Sequence, residues 1–374
     1  MGSRTGEAIG RRIKAARESA GLTQEGLAEA VRLDRSALTK IERGDRKVSA
    51  LELAAIADRL GVRIEWFVDD APMPVVSRRN SREPGAASPT IDRLTERIAR
   101  EVEFVLAHDA QLGSLATAGP LPRPTNNASI EGAAESARQF IGASADDPLY
   151  DLAKWVGNAG LLAFSIELGA DSADGSSMHL AKIGIAVVNA SGHLGRRRLT
   201  LAHELGHFLF ADEFSVDWQV ADPDQGDTRE ARIDRFARAL LLPSAALQGD
   251  WADHKDAGRS VREAAVITAS KYRVDMSSLA RRLTDLRIVS AGEAQQIRDA
   301  RTTRTDMVDF DLFVPEELAD GSLPRPYVEA VLRLYRHEVV SAARALDLLL
   351  DTWAEADLPD LPTLPEQAIW TFVS

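Results

Sequence analysis

His203-Glu204-Leu205-Gly206-His207 lies inside RRLTLAHELGHFLF (197–210), the stretch on which the reading of this chain turns. Leu199, Leu201, Ala202, Leu205, Phe208 and Leu209 make the rest of it apolar, as in a helix that is mostly buried. Residues four apart on a helix share a face, so His203 and His207 project together and can chelate one ion. Unpaired buried charge is costly, so three titratable groups on such a helix need partners. A bound metal supplies them. Two core histidines satisfied by hydrogen bonds are the alternative. The chain has no cysteine. That excludes a disulfide framework, a thiol nucleophile, an iron–sulfur cluster and a cysteine-ligated zinc, and leaves histidine and carboxylate as ligands.

Zinc held for catalysis takes three protein ligands and keeps one position open. Arg229–Leu242 reads as the next helix, stopped by Pro243, and it offers Glu230 and Asp234 four residues apart. Glu230 is the candidate third ligand. Asp234 is placed to accept the outer N–H of a ligating imidazole and fix its tautomer. A solvated face paired with Arg229, Arg232, Arg235 and Arg238 accounts for the same two carboxylates. Glu204, beside the first histidine, is the candidate general base. For an oxyanion, His179, His193 and Tyr272 are candidates by residue type alone.

Outward from this centre, 374 residues with 45% hydrophobic and 27% charged content describe a folded chain of two or three domains. No run of 18 apolar residues occurs and the N-terminus lacks an apolar signal core, so the expectation is a cytoplasmic protein with no membrane partner. The net charge of −12 is unevenly spread: residues 1–50 carry 11 Lys and Arg against 7 Asp and Glu. A basic amino-terminal module on an acidic body follows. The expected boundaries are 1–70 for that module, 71–90 for a flexible linker rich in Pro and Ser, 91–290 for the histidine-bearing domain and 291–374 for a mainly helical region. Helices are also expected at 131–141, 148–157, 260–272 and 276–286, with a C-terminal pair at 327–342 and 343–354. Strands are expected at Leu161–Leu168 and Ile183–Asn189. The fold class is α+β, mostly α.

Residues 7–68 read as five short helices, with Thr23, Asp34 and Ser49 where N-caps belong. Leu27, Leu38 and Ile41 form a buried wedge with Ile13 and Ile56. The helix from Arg35 to Arg43 then turns Arg35, Ser36, Thr39 and Lys40 outward, with Arg43 at its end, a face that suits the major groove. Gln24, opening the preceding helix, is the candidate phosphate contact. A five-helix protein-interaction module with a basic face is the alternative. The stretch LTQEGLAEAVRLDRSALTKIERGDRKVSALELAAIADRLGV (22–62) resembles an Xre-type, phage-repressor-like DNA-binding domain. The resemblance implies operator DNA as a partner and a homodimer on it. It departs from the family at the turn, where Arg32 replaces the usual glycine, and at Gly26 inside a helix.

RRLTLAHELGHFLF together with REARIDRFARALLLP (229–243) resembles the ImmA/IrrE family of metallopeptidases, and KYRVDMSSLARRL (271–283) extends the likeness. The resemblance implies a zincin-like α+β domain with Zn²⁺ on His203, His207 and Glu230. Glu204 becomes the base, and Asp234 holds the family's Asn/Asp position. It implies that the strand Ile183–Asn189 flanks the histidine helix as the edge on which extended substrate adds. It also implies a stress-, phage- or mobile-element-responsive regulator whose peptidase cleaves a repressor, a partner protein or itself. The rival reading is a transcription factor whose zinc domain is a sensor or dimerisation body without turnover. A fused toxin–antitoxin component is compatible but indicated by no residue.

Overall fold

The structure, a computed structural model, describes residues 6–19, 22–60, 64, 67, 76–79, 89–115, 121–122, 124, 127–180, 183–210, 229–313 and 316–361. The chain divides into two compact units, Met1–Val75 with Ala87–Arg97 and Val76–Ala86 with Ile98–Ser374.

The first unit contains α1 (Gly6–Ser19), α2 (Gln24–Ala30), α3 (Arg35–Glu42) and α4 (Ala50–Leu60). The expected fifth helix falls mostly outside the described residues. Capping sets the starts. Thr23 Oγ1 accepts from Gly26 N at 3.0 Å, and Ser49 and Glu52 exchange side-chain and backbone bonds in a capping box. Asp34 sits at the N-cap of α3 without a side-chain bond. Ile13, Leu27, Leu38, Ile41 and Ile56 are all buried, as the helix-turn-helix spacing requires. Arg32 in the turn takes φ 56°, the left-handed conformation that costs a side-chain-bearing residue about 1–2 kcal/mol.

The second unit is built on a four-stranded sheet of order β1-β3-β4-β2: β1 (Val76–Arg79), β2 (Leu161–Ile166), β3 (Gly175–His179) and β4 (Gly184–Asn189). β2 and β4 are the two strands legible in the sequence, and they pair in parallel with Leu161 opposite Gly184. β3 is antiparallel to β4 and escapes a pattern search, because GSSMH has neither alternation nor β-branched residues. β4 is therefore interior, not the expected edge. The other surprise is β1. It lies within the stretch read as linker at 71–90 and pairs antiparallel with β3, Val76 opposite Met178 and Arg79 opposite Gly175. An edge strand with open N–H and C=O groups accepts any extended segment within reach, whatever its composition. The rest of that stretch, apart from the first helical residues at 89–90, lies outside the described residues, as does the end of the Pro-rich tail.

Helices α5 (Pro89–His108), α6 (Asn127–Phe140) and α7 (Leu152–Asn158) precede the sheet. α8 (Leu194–Leu209) carries HELGH, and α9 (Arg229–Leu241) follows. α10 (Ser244–Asp256), α11 (Val261–Tyr272), α12 (Met276–Asp285), α13 (Ala291–Asp299), α14 (Arg304–Asp309), α15 (Arg325–Arg336) and α16 (Ala342–Leu348) complete the described part. Thirteen residues of α8 are buried, so it is a central helix. One core joins it to the sheet and to α6, α7 and α9–α13. Segments beyond residue 290 are integral to this unit. Ser165 of β2 donates to Ser322 and Leu318 carbonyls at 2.9 and 2.6 Å, Tyr327 packs edge-on against Phe164, and Arg333 binds Asp109. Buried Arg198 of α8 donates to Glu317, which also accepts from Arg273.

Candidate metal centre

Two turns of α8 bring His203 and His207 side by side, with their Nε2 atoms 3.1 Å apart. Gly206, between them in sequence, lets α9 close on α8: a Cβ there would meet the Phe236 ring at 2.9 Å and Ile233 at 3.1 Å. That approach carries Glu230, in the first turn of α9, to the pair. Its Oε2 lies 3.3 Å from His203 Nε2 and 3.5 Å from His207 Nε2. One turn further along α9, Asp234 Oδ1 is 2.9 Å from His203 Nδ1. A carboxylate only accepts, so Nδ1 carries the proton and the Nε2 lone pair faces inward.

Glu204 is fully buried. Its Oε2 accepts a 2.6 Å hydrogen bond from Ser177 Oγ on β3. Its Oε1 has no hydrogen-bond partner among the described residues. β3 stays close because residue 175 is glycine; a Cβ there would stand 2.4 Å from Thr200 and 3.6 Å from Glu204 Oε1. The oxyanion candidates are elsewhere or otherwise engaged. His193 is the N-cap of α8, ten residues and thus roughly 15 Å along the helix from His203. Tyr272 donates to Asp250 at 2.8 Å, and burial with that bond raises its hydroxyl pKa. His179 stacks on Phe208.

In the first unit, Arg35, Ser36, Lys40 and Arg43 are exposed on α3 and its C-cap. Thr39 and Gln24 are half-buried and bonded to each other, Thr39 Oγ1 donating to Gln24 Oε1 at 3.2 Å. Gln24 Nε2 donates to Glu42 at 2.7 Å, and Arg17 holds the same carboxylate from the other side at 2.6 Å. Gln24, expected at a phosphate, thus directs both ends of its amide inward.

Two family profiles match, helix-turn-helix over residues 13–67 and IrrE N-terminal-like domain, of the M78 peptidases, over residues 158–284. The chain joins a helix-turn-helix domain to an IrrE-like domain. No curated protein matches it. Among solved structures, the restriction-modification controller protein C.AhdI from Aeromonas hydrophila is 34% identical over 17% of this chain and 94% of its own, with a TM-score of 0.16. ComR from Streptococcus suis is 15% identical over 93% of this chain and 95% of its own, with a TM-score of 0.17. No helix among the described residues is long and apolar enough to cross a membrane.

The IrrE-like domain's His203, His207 and Glu230 form the one cluster of potential metal ligands among the described residues. Ligand atoms about 2.0–2.1 Å from a tetrahedral zinc stand about 3.3–3.4 Å from one another. The three separations here, 3.1, 3.3 and 3.5 Å, fit that spacing. The donor set of two neutral imidazoles and a carboxylate suits zinc, and manganese or iron as well. Ser177 had no signal in the sequence. Only the pairing of β3 with β4 places it against Glu204.

Proposed function

We propose that the protein is a DNA-binding regulator whose IrrE-like domain is a zinc endopeptidase. The observation that carries this reading is the convergence of His203, His207 and Glu230 beside a buried Glu204 with one oxygen open. A purely structural carboxylate in that position would close both oxygens, since an unsatisfied buried acceptor costs about 1–3 kcal/mol. Zinc, when bound by the three ligands, supplies Lewis-acid chemistry toward water and a peptide carbonyl. Asp234 holds the His203 tautomer. Glu204 takes the proton of the attacking water at Oε1 and returns it to the departing nitrogen. Ser177 keeps the carboxylate aimed through Oε2. The helix-turn-helix domain presents Arg35, Ser36, Lys40 and Arg43 to operator DNA, on which it binds as a homodimer. The substrate is a repressor, a partner protein or the chain itself, cleaved in response to stress or to phage and mobile elements.

A second reading has one observation in its favour: His193 caps α8 ten residues before His203, and Tyr272 spends its hydroxyl on Asp250. A sensor or dimerisation body needs neither for an oxyanion. Comparing protein N-termini in cells that make wild type or Glu204→Gln, before and after DNA damage, separates the two. A new N-terminus confined to wild type is the expected outcome. Identical N-termini under all conditions, with regulation intact in the variant, would establish the sensor.

A further inference from the structure

The three strands β3-β4-β2 have two outer sides, and each carries a further segment. Beyond β2 lies Ser322, bridged to Ser165. Beyond β3 lies β1. The two edges are not equivalent, because β3 is the strand whose Ser177 touches the Glu204 carboxylate and whose Gly175 clears space beside Oε1. An extended peptide that adds to a sheet edge gains main-chain hydrogen bonds along its whole length. For a peptide to pass the Glu204 carboxylate in that way it must pair with the outer side of β3. Val76–Arg79 does this: it is extended, antiparallel, and has Ser77 in register with Ser177. The backbone at Ser77 is thus one strand spacing, about 4.8 Å, from the residue that holds Glu204.

The position of this segment in the sequence gives the pairing its meaning. Val76–Arg79 lies between residues 13–67, the helix-turn-helix domain, and residues 158–284, the IrrE-like domain. We infer that β1 is bound as a substrate strand, and that the chain's own substrate is a peptide bond within Val76–Arg79. This rests on the reading of the His203–His207–Glu230 site as a peptidase. The reaction is hydrolysis. One C–N bond breaks, water gives its hydroxyl to the carbonyl carbon and its proton to the new amine, and no other reactant is needed. The products are a free helix-turn-helix domain and an IrrE-like domain whose β3 edge is open for another extended segment. The substrate class is an extended segment without proline at the paired positions, VSRR in this chain.

The test has one arm that does not depend on turnover. In metal-free Glu204→Gln full-length protein, hydrogen–deuterium exchange is expected to show protection of amides within 76–79, lost in the Ser77→Pro/Arg78→Pro double variant. That variant removes a ladder donor on either parity of the strand. Unprotected amides overturn the proposal. In the second arm, zinc-loaded wild-type chain is incubated alone and its products are sequenced from the N-terminus. New N-termini at Ser77, Arg78 or Arg79 are expected, at a rate independent of protein concentration, absent in Glu204→Gln and at least about tenfold slower in the proline double variant. A mixture of proteome-derived peptides serves as the control substrate. An intact chain that hydrolyses those peptides in a Glu204-dependent way overturns self-cleavage and leaves the peptidase standing. If the proline variant then hydrolyses them faster, β1 is an uncleaved plug. Hydrolysis of neither overturns both readings.

Discussion

Glu42 in the helix-turn-helix domain and Glu204 in the IrrE-like domain are both buried carboxylates on helices, and they are treated in opposite ways. Both oxygens of Glu42 are taken, Oε1 by Arg17 Nε and Oε2 by Arg17 Nη2 and Gln24 Nε2. Glu204 has Ser177 on one oxygen and no described partner on the other. The first cluster closes on itself and holds α1, α2 and α3 together. The second leaves one oxygen without a partner among the described residues. A buried charge completed by its own fold is a fastener, and a half-completed one has the opening that the proposed general base requires.

The comparison breaks most sharply at Glu204. Glu204→Gln is expected to retain zinc, measured by elemental analysis, and to lose about 10²–10⁴-fold in peptide hydrolysis; an active variant would make Glu204 a fastener as well. At the other carboxylate, Arg17→Ala leaves Glu42 buried without its cation. Chemical denaturation should show the helix-turn-helix unit about 3 kcal/mol less stable, with hydrolysis unchanged. Ser177→Ala tests the half of Glu204 that is closed. A drop of about tenfold in kcat with KM unchanged, recovered in Ser177→Thr, is expected, because the hydroxyl aims the carboxylate and does not touch substrate. The smallest effect separates Gln24 from Lys40. Lys40→Ala should lower the salt slope of DNA binding by about 1 and leave stability within about 0.5 kcal/mol. Gln24→Ala should cost about 1 kcal/mol of stability with the salt slope unchanged; the reverse pattern would return Gln24 to a phosphate.

Much of the candidate metal site's geometry was legible because its logic is local. His203, His207 and the pair Glu230 and Asp234 are each set by four-residue spacing on one helix, and helical spacing survives folding. What α9 adds is the approach to α8, and only the resemblance to a known family anticipated it. The packing at Gly206 then showed the physical means. Ser177 was illegible for the converse reason: it acts through a strand with no periodic signature, positioned by hydrogen bonds to a neighbour in the sheet. β1 was hidden by composition, since Pro, Ser and Arg argue for a linker until an open strand edge is present to recruit it. Gln24 was read from its helix N-terminus, which suggested an anion, and nothing local announced that Glu42, eighteen residues away, takes one end of its amide.

Arg198 sits five residues before His203 on the central helix, and its carboxylate partner is Glu317, 119 residues further along the chain. A ribosome adding about 5–20 residues per second needs roughly 6–24 s to cover that interval. Until then α8 cannot bury its guanidinium beside a counter-charge, so the histidine helix cannot settle into its core without penalty. The helix-turn-helix domain and the Val76–Arg79 segment, by contrast, leave the ribosome first. The order of synthesis thus separates the helix-turn-helix domain from the settled histidine helix in time, and for many seconds the nascent chain carries the first without the second.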